Sequence, residues 1–198
     1  MITPKTREYR SFAPSLNDAG NIDGYAAVFN DTETMYIDSY TGIEYKEKID
    51  PHAFDECDMS DVVLNYDHAG KPVARTRNNT LSLTIDEHGL HQTANLSGTQ
   101  EGRNMLEEIK GGYLDKMSFS FMVSEDAFDA VSHTRTLLKI SKLFDVAVVD
   151  RPAYEATSVS ARDYYSAKAE AERKASEDAA EIERKRKVLE LKIKTLQF

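Results

Sequence analysis

A histidine and a serine carry the side chains in this chain that could together perform acyl transfer. His68 ends the segment 65–68, which closes an apolar run at 62–64. Ser118 lies in the middle of the β-prone stretch 115–121. A serine hydroxyl is a poor nucleophile unless a base within hydrogen-bond reach takes its proton, and histidine is the usual base near neutral pH. If the fold brings His68 and Ser118 together, an acyl-transfer enzyme, and in particular a peptidase, is the leading hypothesis.

Both residues also have ordinary structural interpretations. Ser118 could be a strand serine that hydrogen-bonds a neighbour, and His68 could be a turn residue at the end of a strand. Ser120 lies two residues further on and points to the same face of a strand as Ser118, so it is a rival nucleophile. On strand geometry alone the two serines are equivalent.

The other reactive or metal-binding side chains predict no further chemistry. Cys57 is the only cysteine, and acidic residues on both sides of it disfavour a thiolate, so a catalytic cysteine is not expected. His88 and His91 flank a predicted turn, and no Cys or carboxylate completes a zinc set with them. Gly111-Gly112 lacks the spacing of a phosphate-binding loop. We therefore expect no metal and no cofactor.

Strands are the main elements predicted to position the candidate residues. Short apolar or alternating segments bounded by turn signals predict at least six, at 22–29, 62–66, 80–85, 90–96, 117–123 and 137–149. The segments 80–85 and 90–96 should pair as a hairpin. One helix is predicted among them, with Thr99 as its N-cap and Gly111-Gly112 at its end. The body is therefore predicted to be a mainly β (α+β) domain.

A change in composition after Arg162 marks a second segment. Residues 164–198 contain no Gly or Pro, and apolar residues recur there with heptad spacing, interrupted once by Arg186. This pattern predicts a helix of more than about 25 residues with a seam for a partner helix. A solvated helix without a partner fits the same pattern, because the alanines in the seam bury little surface. We predict a domain at 1–162 and a charged helical tail at 163–198, joined by a flexible stretch at 158–162.

Composition and charge argue against several classes of protein. The 198 residues are 40% apolar and 30% charged, as in a soluble folded protein. No apolar run reaches the roughly 18 residues of a membrane span, and the first residues lack the apolar core of a secretory signal. The net charge is −9, and all of the negative excess lies in 1–162, because 163–198 carries one more basic than acidic residue, so the acidic body is not expected to bind nucleic acid. A single cysteine allows no internal disulfide, which fits a reducing compartment.

Several blocks of sequence resemble the prohead maturation proteases of tailed bacteriophages. The segments 64–68 and 72–76 are similar to the histidine motif of that family, and 112–119 is similar to its serine motif. Asp145 begins a stretch, 145–149 followed by 152–154, that is similar to the third block. The segments 24–29 and 51–54 also fit. The resemblance spans roughly residues 8–162 in the family's order, and the C-terminal helix lies outside it.

The resemblance implies a serine endopeptidase of a virus, with Ser118 as nucleophile and His68 as general base. It also implies a closed or partly closed β-barrel with surrounding helices, because the family is distantly similar to the herpesvirus assemblins. Such enzymes act inside the immature capsid, in the host cytoplasm, where they cleave the scaffold or the scaffolding segment of the capsid protein, and often themselves. The major capsid protein or the scaffold protein is therefore the expected partner. An assemblin-like fold also permits a homodimer or a higher oligomer.

Asp145 is the third catalytic residue that the resemblance implies, as the group that orients His68. It stands where the family commonly carries an acidic residue, although an Asp replaces the more usual Glu and Ala147 replaces a small polar residue. The shorter side chain must approach His68 more closely. Arg151-Pro152 is the candidate turn for backbone amides that would stabilise the oxyanion.

Two other functions compete with the protease. The first is a non-enzymatic assembly factor, in which the fold survives as a capsid scaffold or chaperone and the helical tail does the binding. The second is a hydrolase of another substrate, against which the lack of a small-molecule-binding motif counts weakly.

Overall fold

Strands dominate the part of the chain that is described. A computed structural model describes residues 7–12, 15–17, 21–150 and 159–196. The strands are β1 (Arg7–Phe12), β2 (Ser15–Leu16), β3 (Ile22–Val28), β4 (Glu33–Ile37), β5 (Glu44–Ile49), β6 (Val63–Tyr66), β7 (Ala69–Arg75), β8 (Leu81–Ile85), β9 (Gly89–Ala94), β10 (Lys116–Asp129) and β11 (Thr134–Val149). The helices are α1 (Gln100–Lys110) and α2 (Val159–Leu196). The chain divides into two compact units, Met1–Arg162 and Asp163–Phe198.

The described strands form two sheets, one of seven strands and one of four. The larger sheet runs β1-β10-β11-β5-β4, with β6 between β11 and β7, and the smaller sheet runs β2-β3-β9-β8. β11 is 16 residues long, so one edge pairs with β10 while the other pairs with β5 and then with β6, both in parallel. The larger sheet therefore branches at β11, and the pairings close neither sheet into a barrel. The mainly β class is confirmed, and the predicted barrel is not.

Strands β10 and β11 are buried on both faces at the level of the serine motif. One face is apolar and joins the main hydrophobic core through Met117, Phe119, Val146 and Val148. The alternate residues form the opposite face, and each is at most 2% exposed: Ser118, Ser120, Asp145 and Ala147. Burying a polar group is costly unless it finds a partner, so a buried row of this kind needs a specific reason.

Several predicted elements are confirmed. The hairpin predicted at 80–85 and 90–96 is β8–β9, in which Ile85 pairs with Leu90. The hydroxyl of Thr99 caps α1 by accepting a hydrogen bond from the Gly102 N–H at 2.9 Å. The chain leaves α1 through Gly112, whose φ of 73° is a conformation that glycine adopts without strain.

The second unit consists mostly of α2, which begins earlier than predicted. The flexible stretch predicted at 158–162 is wrong for 159–162, since these residues belong to the helix; Ser158 lies outside the described residues. No Gly or Pro interrupts the segment, which explains why the helix extends through it. Ion pairs one turn apart, such as Lys185 with Glu181 at 2.7 Å, line the exposed surface of α2.

A buried arginine connects four strands of the larger sheet. Arg135 on β11 is 1% exposed, and its guanidinium contacts Glu8 of β1 at 2.9 and 3.1 Å, Glu47 of β5 at 3.1 Å and Asp126 of β10 at 2.8 Å. The planar fork of donors on arginine suits several carboxylates at once. Three carboxylates contact this guanidinium, so Arg135 links strands that are far apart in the sequence.

Replacing Arg135 with methionine is expected to destabilise the fold by about 3–5 kcal/mol, because it removes a buried cation that contacts three carboxylates. Lys139→Met is the control, since the ion pair of Lys139 with Glu125 is 54% exposed on each side and should contribute at most about 1 kcal/mol. Urea unfolding followed by circular dichroism measures both variants. Equal losses of stability would show that the Arg135 cluster does not hold the strands together.

Candidate active site

A tight turn between β6 and β7 fixes the position of His68. Tyr66 pairs with Ala69, so Asp67 and His68 are the two central residues of the hairpin turn. Their φ angles are 50° and 56°, as type I′ turns require, and Asp and His tolerate positive φ better than most residues. The Asp67 N–H also donates to the Val148 carbonyl at 2.8 Å, which attaches the turn to β11. The imidazole is thus presented beside the strand that carries Asp145.

The structure brings His68 and Asp145 together. The distance between His68 Nδ1 and Asp145 Oδ1 is 2.6 Å, and the two side chains are 17% and 3% exposed. An ionised carboxylate can only accept a hydrogen bond, so Nδ1 is the donor. In a neutral imidazole this leaves Nε2 with the lone pair, which is the nitrogen that a general base would use. The Asp145 side chain is therefore long enough to reach the imidazole and hold it in this orientation.

The structure places Ser118 on the same face of the sheet as Asp145 but does not bond it to His68. Ser118 pairs with Ala147 across β10 and β11, and Asp145 lies two residues from Ala147 along β11. The diagonal neighbours of such a pair are about 7–8 Å apart. Ser118 is 1% exposed, and its Oγ has no hydrogen-bond partner in the structure as described. Catalytic hydrogen bonds are often completed only when substrate binds.

The buried hydroxyl of Ser118 has an energetic consequence. An unsatisfied buried hydroxyl costs about 1–3 kcal/mol, and few such groups occur in folded proteins. The Ser118 hydroxyl is shielded from solvent. Ser120 is equally buried on the same face, and it pairs directly with Asp145. The geometry therefore leaves Ser120 as an alternative nucleophile to Ser118.

An asparagine that the sequence analysis did not single out completes the same row. Asn65 of β6 pairs in parallel with Ala147, so Ser118, Ala147 and Asn65 lie side by side on three neighbouring strands. Asn65 is 6% exposed, and its Oδ1 is buried without a hydrogen-bond partner among the described residues. Its place in a predicted strand and inside the histidine motif at 64–68 was the signal in the sequence.

Two open cavities near the His68 turn lie on the other side of the sheet. Their volumes are about 610 and 630 Å³, and both are lined by Tyr66 and Glu108. Tyr66 alternates with Asn65 along β6, so it points to the opposite face from Ser118. We therefore assign neither cavity to the reaction.

Cys57, His88 and His91, for which the sequence predicts no chemistry, lie in environments of other kinds. Burial raises the pKa of the Cys57 thiol to about 12, a larger effect than that of its acidic neighbour Asp58. His88 and His91 pack edge-on against Tyr25, with ring centroids 4.4 and 5.0 Å away. In the described ranges, no three His, Cys, Asp or Glu side chains converge on a point where they could hold a metal ion. Arg151-Pro152, the candidate oxyanion turn, lies outside the described residues.

An imidazole held by a buried carboxylate is the part of a serine-hydrolase triad that the described residues contain, and Ser118 lies on the same face of the sheet as that carboxylate. A sequence profile of the caudovirus prohead serine proteases matches residues 7–172, and the chain belongs to this family. Since the match ends at 172, the start of α2 lies inside the family region, and the expectation that the whole helix lies outside it is wrong. No curated protein and no solved structure matches the chain. Among the described helices, none is both long and apolar enough to cross a membrane.

Proposed function

We propose that this chain is the endopeptidase that matures the phage capsid by cleaving the scaffold protein or the scaffolding segment of the major capsid protein. It acts inside the immature capsid in the host cytoplasm, and it also cleaves itself. The observation that carries the proposal is the 2.6 Å contact between His68 and Asp145 in a chain of the prohead protease family. That contact prepares Nε2 of His68 to take a proton.

The chemistry assigns one role to each residue. Ser118 Oγ attacks the scissile carbonyl carbon while its proton moves to His68 Nε2, and the carbonyl oxygen becomes an oxyanion. The imidazolium that results is stabilised by Asp145. When the tetrahedral intermediate collapses, the C–N bond breaks and His68 gives the proton to the leaving amine. Water then repeats the sequence and releases the acyl group from Ser118.

Covalent labelling combined with intact-mass analysis tests this function. The purified chain is incubated with the capsid protein and the scaffold encoded beside it, with and without a fluorophosphonate that reacts with activated serines. We expect discrete fragments only without the reagent, and the label on the peptide that contains Ser118. Intact partners after co-assembly would instead favour the non-enzymatic assembly factor.

The assembly-factor alternative rests on apolar residues exposed along α2. Ile182, Leu189 and Ile193 are 67%, 62% and 51% exposed, and they follow the heptad seam. Glu183 and Glu190 flank one side of the seam, and lysines flank the other. In a parallel pair of helices Lys185 of one copy faces Glu190 of the next, so the charges suit a second copy of this chain. A homodimer through α2 is compatible with the protease as well.

Changing Leu189 and Ile193 together to lysine is expected to weaken dimerisation at least about 100-fold, because each apolar side chain contributes about 1.5–3 kcal/mol when buried. The matched control is Val188→Lys with Leu191→Lys, which adds the same charge on the outer side of α2. Sedimentation equilibrium measures the dimer dissociation constant. If both double variants behave alike, or the wild type is monomeric, the seam has no partner. A protease would keep its cleavage activity in either double variant, whereas an assembly factor would lose function only in the seam variant.

A further inference from the structure

Asn65 lies in the same row as the candidate nucleophile, on the buried face of the larger sheet. Ala147 is the middle member of the row, with Ser118 on one side and Asn65 on the other. Paired residues on neighbouring strands point to the same face, so the three side chains share one side of the sheet. Since strands lie about 4.7–4.9 Å apart, the Cα atoms of Ser118 and Asn65 are separated by roughly 10 Å.

Ala147 has the smallest side chain of the three members of the row, and it is 0% exposed. Its single methyl group extends less far from the sheet than the side chains of Ser118 and Asn65 on either side. A scissile carbonyl placed over Ala147 would therefore have the Ser118 hydroxyl on one side and the Asn65 amide on the other. Because Ala147 is covered, the atoms over it would have to move to admit that carbonyl.

Both polar neighbours of Ala147 lack hydrogen-bond partners. Ser118 Oγ and Asn65 Oδ1 are buried and unsatisfied in the structure as described. Two such atoms in one row are unusual, because each costs about 1–3 kcal/mol. Buried polar atoms without hydrogen-bond partners are expected where a fold keeps polar groups to bind a ligand. Half a turn about the last side-chain bond of Asn65 exchanges Oδ1 for the Nδ2 amide, which presents an N–H donor at the same place.

We propose that Asn65 is a catalytic residue that donates a hydrogen bond from Nδ2 to the oxyanion of the tetrahedral intermediate. The inference rests on the proposed function and extends it. When Ser118 Oγ bonds to the carbonyl carbon, the π electrons of the C=O bond move to oxygen and the hydroxyl proton moves to His68 Nε2. The Asn65 N–H stabilises the negative oxygen, and no proton is transferred from Asn65. On collapse the C=O bond re-forms and the C–N bond breaks.

Replacing Asn65 with leucine tests the role. The variant keeps the approximate shape of the side chain and removes a buried unsatisfied amide, so its stability should be equal to that of the wild type or higher. We expect kcat to fall about 100-fold to 1,000-fold with KM nearly unchanged, which is the usual effect of removing one donor to an oxyanion. Gln92→Leu is the matched control, because Gln92 is a buried amide of the smaller sheet whose oxygen has no hydrogen-bond partner among the described residues. Its Nε2 donates to Met117 Sδ, on the opposite face of β10 from Ser118. This control should leave kcat unchanged.

The rate of fluorophosphonate labelling separates failure of this inference from failure of the proposed function. The phosphoryl oxygen of the reagent develops negative charge as Ser118 attacks, so labelling of Asn65→Leu should slow by a factor similar to the fall in kcat. Rapid labelling of Ser118 in both the wild type and Asn65→Leu would overturn the role of Asn65 and leave the protease intact. A loss of kcat shared with Gln92→Leu, or accompanied by an equal rise in KM, would also overturn it. If the wild type is not labelled at Ser118, the proposed function fails and the role of Asn65 fails with it.

Discussion

Ser118→Ala is expected to lower kcat/KM for the capsid or scaffold substrate by at least about 10,000-fold, because no other group replaces the bond-forming oxygen. The same change should leave the free energy of unfolding equal or raise it by up to about 3 kcal/mol. The reason is that Ser118 Oγ is buried without a hydrogen-bond partner among the described residues, and alanine removes this unsatisfied hydroxyl. Fragment formation followed by mass spectrometry and unfolding in urea together measure both effects.

Ser120→Ala is the matched control for this prediction. Ser120 lies on the same strand and face, it is 0% exposed, and the substitution is identical. We expect its cleavage rate to stay within about ten-fold of the wild type, because the attacking oxygen of Ser118 remains in place. Loss of activity in Ser120→Ala with activity retained in Ser118→Ala would assign the nucleophile to Ser120. Activity retained in both variants would exclude a serine mechanism at this face.

The strands around the serine motif could be predicted because their apolar residues alternate regularly. Met117 and Phe119 alternate with Ser118 and Ser120, so the period of two is visible in the sequence. β5 was missed, since its sequence contains four charged residues. Its Glu47 is nevertheless 3% exposed, because Arg135 compensates the charge from β11. A buried ion cluster formed by residues so far apart in sequence produces no local pattern.

The candidate site could be predicted in its parts but not in its arrangement. Residue type and local context made His68 and Ser118 candidates, and the resemblance assigned their roles and added Asp145. Alternation along a strand could show only that Ser118 and Ser120 share a face. The pairing of β6 in parallel with β11 determines which residues lie next to each other, and this register depends on the tertiary fold. Asn65 became a candidate only through that register. The branching of the sheet at β11 likewise depends on pairing, which explains why the barrel expected from the resemblance was not confirmed.

Asp145→Asn is expected to lower kcat about 100-fold to 10,000-fold while KM changes little, because Asp145 acts through His68 as a positioning residue. Asparagine removes the negative charge that stabilises the imidazolium, and its amide can present an N–H to His68 Nδ1 in place of an acceptor. Nδ1 would then hold the lone pair, and the proton would move to Nε2, the nitrogen needed as the base. The wrong tautomer therefore accounts for most of the expected loss.

Nitrogen NMR of the His68 imidazole distinguishes this role from a merely structural one. In the wild type the proton of the neutral ring should reside on Nδ1, next to Asp145 Oδ1 at 2.6 Å, and in Asp145→Asn it should reside on Nε2. Asp115→Asn is the control, because Asp115 is an exposed carboxylate just before β10, and the change should affect neither the tautomer nor kcat. Asp145→Glu should restore part of the activity, since glutamate preserves the charge and is the residue more usual in the family. A loss of kcat in Asp145→Asn with the Nδ1 tautomer unchanged would mean that Asp145 supports the fold around His68 and does not orient its ring.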